Sequence, residues 1–414
     1  MTRRNTFLFA SYFFLASLFA AWTWILTAPN LVLTSNSLYW QVQNYLHQHF
    51  YPNRLFVTSS YIFLIVALLS VFLLLVKNIS VKNWREFAVK FTLLCLPFLF
   101  SYNALSYDVF NYLFNAKMVI VYHANPHTQT ALDFAHDDWT RFMHNTHTAA
   151  PYGYGWTIIS LLPYLLFAGK FTLIWWFTRF ANFGLLLVFL FLLSLFVNRL
   201  SWMADWRRLA LFFFNPLILI ELLTNSHNDL WMMLPAVWSL LLIYPSKKNR
   251  LSVGKIIFSL LLLLFSLSIK FATVMLVPSW LFLLAYRQRH AIFAFTDDLH
   301  ISLQSIFAWG KKYFFDLCAL LMFVPLLTAR SQFFHPWYLT WSLVFLPFAR
   351  SSLTRGALLV LSASSLLRYA PYLWENGYTV NTLFYQQLIT FVPFVIYLLI
   401  WAIGYYNKHR HVTT

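Results

Sequence analysis

Glycine, cysteine and acidic residues are all scarce in this chain. Its 414 residues include 9 glycines and 2 cysteines, and aspartate and glutamate together number only 12. So few glycines argue against a loop that cradles a nucleotide, and the sequence shows neither a metalloprotease helix signature nor a serine-nucleophile elbow. Cys95 and Cys318 both lie inside apolar runs. We therefore expect packing thiols rather than a disulfide framework.

Charged residues of either sign are few as well. They make up 10% of the chain, whereas 60% of its residues are hydrophobic; soluble domains carry about a quarter charged residues. Apolar runs of roughly 18 to 25 residues recur along the sequence, which is the length that crosses a bilayer as a helix. Their hydrophobicity does not alternate from residue to residue, which excludes a membrane barrel. The composition predicts an all-α, polytopic transmembrane helical bundle.

The basic residues, which give a formal net charge of +17, are concentrated between the apolar runs. They cluster at residues 77–90, 245–255, 287–312 and 350–355. Under the positive-inside rule these connections are cytoplasmic. The basic residues therefore predict how the chain is oriented in the membrane. We expect them to lie next to anionic membrane lipid, and we expect no nucleic-acid partner.

The sequence shows no convincing repeat, soluble domain or low-complexity linker, so we expect one membrane domain, residues 1–414. The orientation predicts that both termini lie in the cytoplasm. The expected spans lie near 7–28, 55–76, 86–106, 171–197, 209–224, 230–244, 256–269, 271–286, 313–329, 338–349, 356–370 and 383–406. The total is about 11 to 13 crossings, because 156–168 is either a further crossing or an interfacial helix. The run that follows Thr2-Arg3-Arg4 is too long for a signal peptide, so we expect it to be an anchor.

Residues 107–155 form the largest polar segment and follow the third predicted span, on the extracytoplasmic side. The segment contains four aspartates and five histidines but few basic residues. Its many aromatic residues argue against disorder, so we expect helices that lie along the membrane interface. The histidine spacing matches no metal-ligand pattern, and solvated histidines with no bound metal are the expectation.

Two acidic positions on this face could carry chemistry. Asp108 comes directly after the third span, where an acid could cap a helix or act as a general base beside an apolar wall. His227 and Asp229 belong to the cluster 225–229 at the outer tip of a predicted hairpin. That cluster could be a simple turn, or a pair that handles protons or binds sugar.

Two basic side chains lie on the predicted outer face, where cations are rare. Lys270 lies between two apolar runs, and Arg330 precedes His335-Pro336-Trp337-Tyr338. A lysine at this position could extend to the interface, and tryptophan and tyrosine there form the ordinary aromatic belt, to which we assign Tyr338 and Trp341. The two cations are also suited to a lipid phosphate.

These blocks, in this order, resemble the polyprenyl-phosphate-sugar-dependent glycosyltransferases of the GT-C class, most closely the bacterial polyprenol-phosphomannose-dependent mannosyltransferases. The resemblance covers residues from about 86 to 345 as judged by motif order. Its matching pieces are Tyr107-Asp108 with Asn111-Tyr112, Asn125-Pro126, Pro151-Tyr152-Gly153-Tyr154-Gly155-Trp156, Asn215-Pro216, His227-Asn228-Asp229, Ser268-Ile269-Lys270-Phe271 and His335-Pro336-Trp337-Tyr338.

The resemblance implies transfer of a sugar, with mannose the leading choice, from a polyprenyl-phosphate donor to an acceptor hydroxyl on the extracytoplasmic face. The acceptor would be a glycan, a lipid or a protein, and neither a cofactor nor a metal is implied. Asp108 would be the catalytic base, and Lys270 and Arg330 would hold the leaving phosphate. The remaining substrate-binding residues would be Asn111, Tyr152, His227, Asp229, His335, Trp337 and Tyr338.

Two other classes of protein stay open from the residues alone. A transporter or flippase for a lipid-linked or small polar substrate would use the polar groups as a translocation path, but the inverted repeats typical of such proteins are not evident. A non-catalytic assembly subunit would need no polar cluster on the outer face. We therefore favour the transferase.

Overall fold

The computed structural model describes residues 3–197, 205–245, 251–289, 300–327 and 334–410. Within those ranges the chain is helical and has no β-strand. The helices are α1 (Arg3–Thr23), α2 (Ser37–His49), α3 (Arg54–Asn78), α4 (Trp84–Leu99), α5 (Asp108–Val121), α6 (Tyr154–Leu166), α7 (Phe171–Val197), α8 (Trp206–Phe213), α9 (Pro216–Leu219), α10 (Asp229–Ile243), α11 (Val253–Ile269), α12 (Val277–Arg287), α13 (His300–Lys312), α14 (Phe314–Leu321), α15 (Thr340–Leu343), α16 (Ser352–Leu367), α17 (Tyr369–Glu375) and α18 (Val380–Arg410).

Four stretches are long and apolar enough to cross a membrane. They are Arg3–Leu26, Arg54–Asn78, Phe171–Phe196 and Val380–Lys408. Shorter apolar helices, of 10 to 17 residues, include α6, α10 and α11. These segments confirm the prediction of an all-α polytopic membrane protein, because the long helices coincide with four of the expected spans. Many of the shorter expected spans are interrupted by turns.

The expected span 209–224 shows how such an interruption arises. Helix α8 ends at Phe213, and the buried Asn215 begins a new helix by accepting a hydrogen bond from the backbone N–H of Leu217 at 3.0 Å. Pro216 then occupies the first turn of α9, where its missing N–H costs nothing. The chain continues as a π-helical turn, Ile220–Thr224, instead of an uninterrupted α-helix. This turn faces the polar cluster of the hairpin.

The long polar segment 107–155 is an ordered part of the fold. It starts with α5 and continues through two 3₁₀ turns, Ala131–Phe134 and Asp138–Phe142. Helix α5 packs against α6 and α7 and buries seven of its side chains. It is therefore a packed element of the bundle, and its first residue, Asp108, is held in place by that packing.

Candidate active site

Several helix ends meet around one cavity of about 860 Å³. Its wall includes Leu26 after α1, Arg54 at the start of α3, Asp108 at the start of α5, Lys270 directly after α11 and Gln386 early in α18. These ends come from distant parts of the sequence, so the cavity exists only in the assembled bundle. Its size is in the range of ligand pockets in other proteins.

Asp108 is the acidic side chain in the wall of this cavity. The side chain is 16% exposed, and the Tyr152 hydroxyl donates a long hydrogen bond to its Oδ2 at 3.4 Å. Burial raises the pKa of Asp108 to about 6, although the cation of Lys270 opposes the rise and the charge of Asp229 adds to it. A carboxylate of this proton affinity is suited to accept a proton near neutral pH.

Lys270 forms a buried ion pair with Asp229. Its Nζ lies 2.7 Å from Asp229 Oδ1, and the indole Nε1 of Trp341 donates to the same oxygen at 2.5 Å. The Asp229 side chain is completely buried, so these two donors compensate its charge. We expected Trp341 to be an ordinary residue of the aromatic belt. In the structure it also donates a hydrogen bond to Asp229.

His227 lies behind Asp108 and is fully buried. Its Nδ1 is 3.8 Å from Asp108 Oδ2, and its Nε2 is 3.4 Å from Glu221 Oε2. The imidazole stacks on the Trp337 indole with 4.1 Å between ring centroids, and His335 stacks on the same indole at 4.3 Å. The stack fixes the plane of the His227 ring between the two carboxylates.

Glu221 is a fully buried acid in the π-helical turn. The side-chain amide of Asn225 donates to its Oε2 at 2.9 Å, and the Tyr369 hydroxyl donates to its Oε1 at 2.9 Å. From the sequence Glu221 is only a polar group on the approach to the 225–229 cluster, since one acid within an apolar run shows no partner there. The π turn directs it towards His227.

Buried polar side chains hold the π turn in position. Asn103 donates from Nδ2 to the carbonyl of Thr224 at 2.8 Å, and its Oδ1 accepts from a guanidinium nitrogen of Arg179 at 2.5 Å. Asn182 donates to the carbonyls of Leu222 and His227 at 2.8 and 3.0 Å. Helix α7 therefore supports the hairpin from behind through hydrogen bonds to its backbone.

Two glycines bring Tyr152 close to Lys270. The Gly153 N–H donates to the carbonyl of Ile269 at 2.8 Å. A Cβ at Gly153 would lie 2.0 Å from the Ser268 carbonyl oxygen, and one at Gly155 would lie 2.2 Å from Ser268 Oγ. Only glycine permits this approach of the segment before α6 to the end of α11.

Arg368 and Arg54 supply further positive charge to the cavity wall. Arg368 is 4% exposed, donates to Thr390 Oγ1 at 3.2 Å and lies over the Phe334 ring. No carboxylate pairs with it in the part of the chain that the structure describes. Arg330, the second cation expected from the sequence, lies outside the described residues.

Most of the residues predicted for the site meet at the cavity. Its wall contains Asp108, Asn111, Tyr152, Lys270, His335, Trp337 and Tyr338. His227 and Asp229 lie directly behind the wall, in contact with Asp108 and Lys270 respectively. Sequence reasoning missed Glu221, Trp341 and Arg368 as members of the site.

The fold and the site together define an integral membrane protein with a carboxylate of raised pKa and several cations around one cavity. A family model described as alpha-(1→6)-mannopyranosyltransferase, N-terminal domain, matches residues 8–286, and the chain belongs to this family. It is therefore a mannose-transferring glycosyltransferase, as the resemblance implied. The match includes Asp108, His227 and Lys270, whereas the segment from His335 onward lies beyond it. No curated protein and no solved structure matches the chain.

Proposed function

We propose that this protein transfers mannose from a polyprenyl-phosphate donor to an acceptor hydroxyl, in the manner of GT-C enzymes. The observation that carries the proposal is one cavity whose wall contains a carboxylate of raised pKa, Asp108, together with Lys270 and Arg368. When a hydroxyl displaces a phosphate, a base must accept the hydroxyl proton and cations must stabilise the phosphate that leaves. The family description suggests the product, an α-(1→6)-linked mannose, and hence a sugar primary hydroxyl as acceptor.

The extracytoplasmic face is the proposed side of the reaction. Helix α1 begins with Arg3 and Arg4, whereas Leu26, just beyond its other end, lies in the cavity wall. Helix α3 begins at the cavity with Arg54 and ends beside Lys77. The cavity thus adjoins the helix ends opposite the basic connections, which the positive-inside rule assigns to the cytoplasm.

In the proposed reaction the Asp108 carboxylate takes the proton of the acceptor hydroxyl. The acceptor oxygen attacks the anomeric carbon of mannose as the bond from that carbon to the phosphate oxygen breaks. The phosphate leaves with the bonding electron pair, so the anomeric configuration is inverted and an α-product requires a β-linked donor. The leaving group is already a stabilised anion, and the protein contributes mainly positioning, a base and positive charge.

The cations are proposed to differ in their roles. Lys270 is committed to Asp229 and lies 5.2 Å from the centre of the Tyr152 ring, so it is suited to the sugar end of the donor. Arg368 is buried without a carboxylate partner in the described ranges, and its guanidinium is suited to the phosphate. Arg330 stays a prediction as a second phosphate ligand.

The proposal is tested by a transfer assay in sealed right-side-out vesicles. Labelled polyprenyl-phosphate mannose is incorporated in the membrane, and a membrane-impermeant mannoside acceptor is added outside. We expect labelled disaccharide outside the vesicles, and none when GDP-mannose replaces the lipid donor. Transfer from GDP-mannose, or movement of the donor without a new glycosidic bond, would refute the proposal, and the second result would favour a transporter.

Transfer should depend on pH through Asp108. The base must be ionised, and burial raises its pKa to about 6, so activity is present above that pH and is lost as pH falls through it. We expect the rate to fall about tenfold for each pH unit below the transition, which initial rates between pH 4.5 and 8 would show. A profile centred near about 4, the ordinary value of an aspartate, would contradict the buried environment.

A further inference from the structure

The proton that Asp108 accepts has a second buried acceptor behind it. We infer that Glu221 and His227 form a proton-accepting pair behind Asp108, with Glu221 orienting the imidazole so that it can take the proton from the catalytic carboxylate. This inference rests on the proposed function and assigns a catalytic part to residues that do not line the cavity. His227 would take part in the proton transfer, and Glu221 would be a positioning residue.

The hydrogen bonds of Glu221 are compatible with the ionised side chain that the proposed pair requires. Both carboxylate oxygens accept, one from Asn225 and one from Tyr369, each at 2.9 Å. A fully buried carboxylate is costly unless its charge is compensated. Among the described residues no lysine or arginine pairs with Glu221, whereas His227 Nε2 lies 3.4 Å from its Oε2. The imidazole is therefore the basic side chain that faces Glu221, at a distance that must shorten for a hydrogen bond to form.

In the proposed pair, His227 carries its ring hydrogen on Nε2, the nitrogen nearer to Glu221. With the hydrogen on Nε2 directed at Glu221, the lone pair of Nδ1 faces Asp108 Oδ2 at 3.8 Å. Among the residues that the structure describes, neither ring nitrogen of His227 makes a hydrogen bond. The separation is long for a hydrogen bond, but such contacts commonly tighten when substrate fills a site. A carboxylate that orients a histidine for proton transfer is the arrangement used in hydrolase triads.

Two features of the fold keep the three groups in line. The π turn Ile220–Thr224 inserts one residue into the helical register and thereby turns Glu221 towards the imidazole, and such turns are frequent at functional sites. The Trp337 indole covers the face of the His227 ring with an interplanar angle of 21°. Rotation of the imidazole out of this plane would collide with the indole.

The proton would move from the acceptor hydroxyl to Asp108, then to His227, and back. The acceptor hydroxyl gives its proton to Asp108 as the new glycosidic bond forms and the sugar–phosphate bond breaks. Asp108 then passes the proton to Nδ1 of His227, and the resulting imidazolium lies between the Asp108 and Glu221 carboxylates. When the phosphate product departs, the proton returns through Asp108 to the phosphate or to water in the cavity.

The electrostatic surroundings come from every element packed around the imidazole. Lys270 and His335 interact electrostatically with the imidazole itself. Around its neighbours, Tyr112, Tyr152, Asp229, Lys270 and Tyr338 interact with Asp108, Arg368 with His335, and Tyr369 with Glu221. Asp229 and Lys270 neutralise each other at 2.7 Å. Burial, Lys270 and His335 hold the pKa of His227 well below its usual value, so a proton placed on the imidazole is readily returned.

The test compares Glu221→Gln with Glu375→Gln, a matched change at an exposed acid of α17. Glutamine has the shape of glutamate but carries no charge. In the variant, no ionised oxygen at position 221 can accept a hydrogen bond from His227. We expect kcat to fall about 10- to 100-fold, less than for loss of the base itself, with the donor KM within about twofold. Glu221 and Asp108 interact electrostatically, so losing the Glu221 charge moves the acid limb of the pH profile to lower pH.

The Glu221→Gln result distinguishes failure of this inference from failure of the proposed function. Native kcat and an unshifted acid limb in a folded Glu221→Gln protein would overturn the inference while leaving the proposed function intact. A purely structural role would lower the yield of folded protein without moving the acid limb. If Glu221→Gln does not fold, Tyr369→Phe replaces it, with a smaller decrease in kcat supporting the inference and no change overturning it. Absence of transfer by the native chain would remove the proposed function and this inference with it.

Discussion

Replacing Asp108 by asparagine is expected to reduce mannose transfer by about 1,000-fold, with the protein still folded in the membrane. The amide has the size of the carboxylate and can still accept from Tyr152, whose hydroxyl lies 3.4 Å from Oδ2. It cannot take up a proton at any pH used in the assay. The loss should therefore fall on kcat, and donor binding should remain within about threefold of native, since no cation of the wall is removed.

Asp138→Asn is the matched control for this prediction. Asp138 lies in the same polar segment, residues 107–155, and 76% of its side chain is exposed. Its surface ion pair with Arg141 contributes little to stability. We expect native transfer from this variant. Near-native transfer by Asp108→Asn, measured with the same donor and acceptor, would show that another group is the base.

Gly153→Ala is expected to have the second large effect. The added Cβ would lie 2.0 Å from the backbone carbonyl oxygen of Ser268, which cannot swing aside as a side chain could. The segment before α6 must then move away from α11, and Tyr152 moves away from Lys270 and Asp108. Overpacking of this kind costs about 1–3 kcal/mol, and a displacement near 1 Å at a catalytic group can lower the rate on the order of 100-fold.

The control is Gly254→Ala, near the first turn of α11, where no atom lies within 4 Å of the added Cβ. Thermal unfolding in detergent and transfer kinetics should be measured for both variants. We expect Gly254→Ala to match the native protein in both, whereas Gly153→Ala loses activity and melts at lower temperature. Equal behaviour of the two variants would show that the close approach of Gly153 to Ser268 is not required.

The long membrane helices could be predicted because hydropathy reports directly on the cost of placing residues in lipid. The spans α3, α7 and α18 appear close to their expected positions. The interruption at Asn215-Pro216 and the π turn after it could not be predicted in this way, since hydropathy carries no information about hydrogen-bond register. That turn nevertheless places Glu221 in the site.

The candidate site was predictable where a polar residue stood out against its surroundings. Asp108, Lys270 and the hairpin around His227 were found because charge at the outer ends of spans is rare. The same rule applies to Arg368, at the outer end of the expected span 356–370, and to Arg54, at the outer end of 55–76. Both went unnoticed because their positions did not belong to a recognisable block.

The partners of these residues required the structure. Lys270 and Asp229 are separated by 41 positions, and Trp341 joins them from a further segment. The sequence suggested that Lys270 holds the phosphate, but it could not show that an aspartate already shares this ammonium. Long-range pairing of this kind depends on which helix ends meet, and that is decided by packing of the bundle.

Binding of the lipid-linked donor in the cavity of Asp108 is tested most directly by photo-crosslinking. A polyprenyl-phosphate mannose analogue with a photoreactive group beside the phosphate would be crosslinked to the native protein and to Arg368→Gln. We predict crosslinked peptides from residues 104–115, 270–275 and 334–341, with the yield reduced about tenfold or more in the variant because a charge-assisted contact is lost. Crosslinks confined to the lipid-facing surface of α18, or equal yields from the two proteins, would contradict the account.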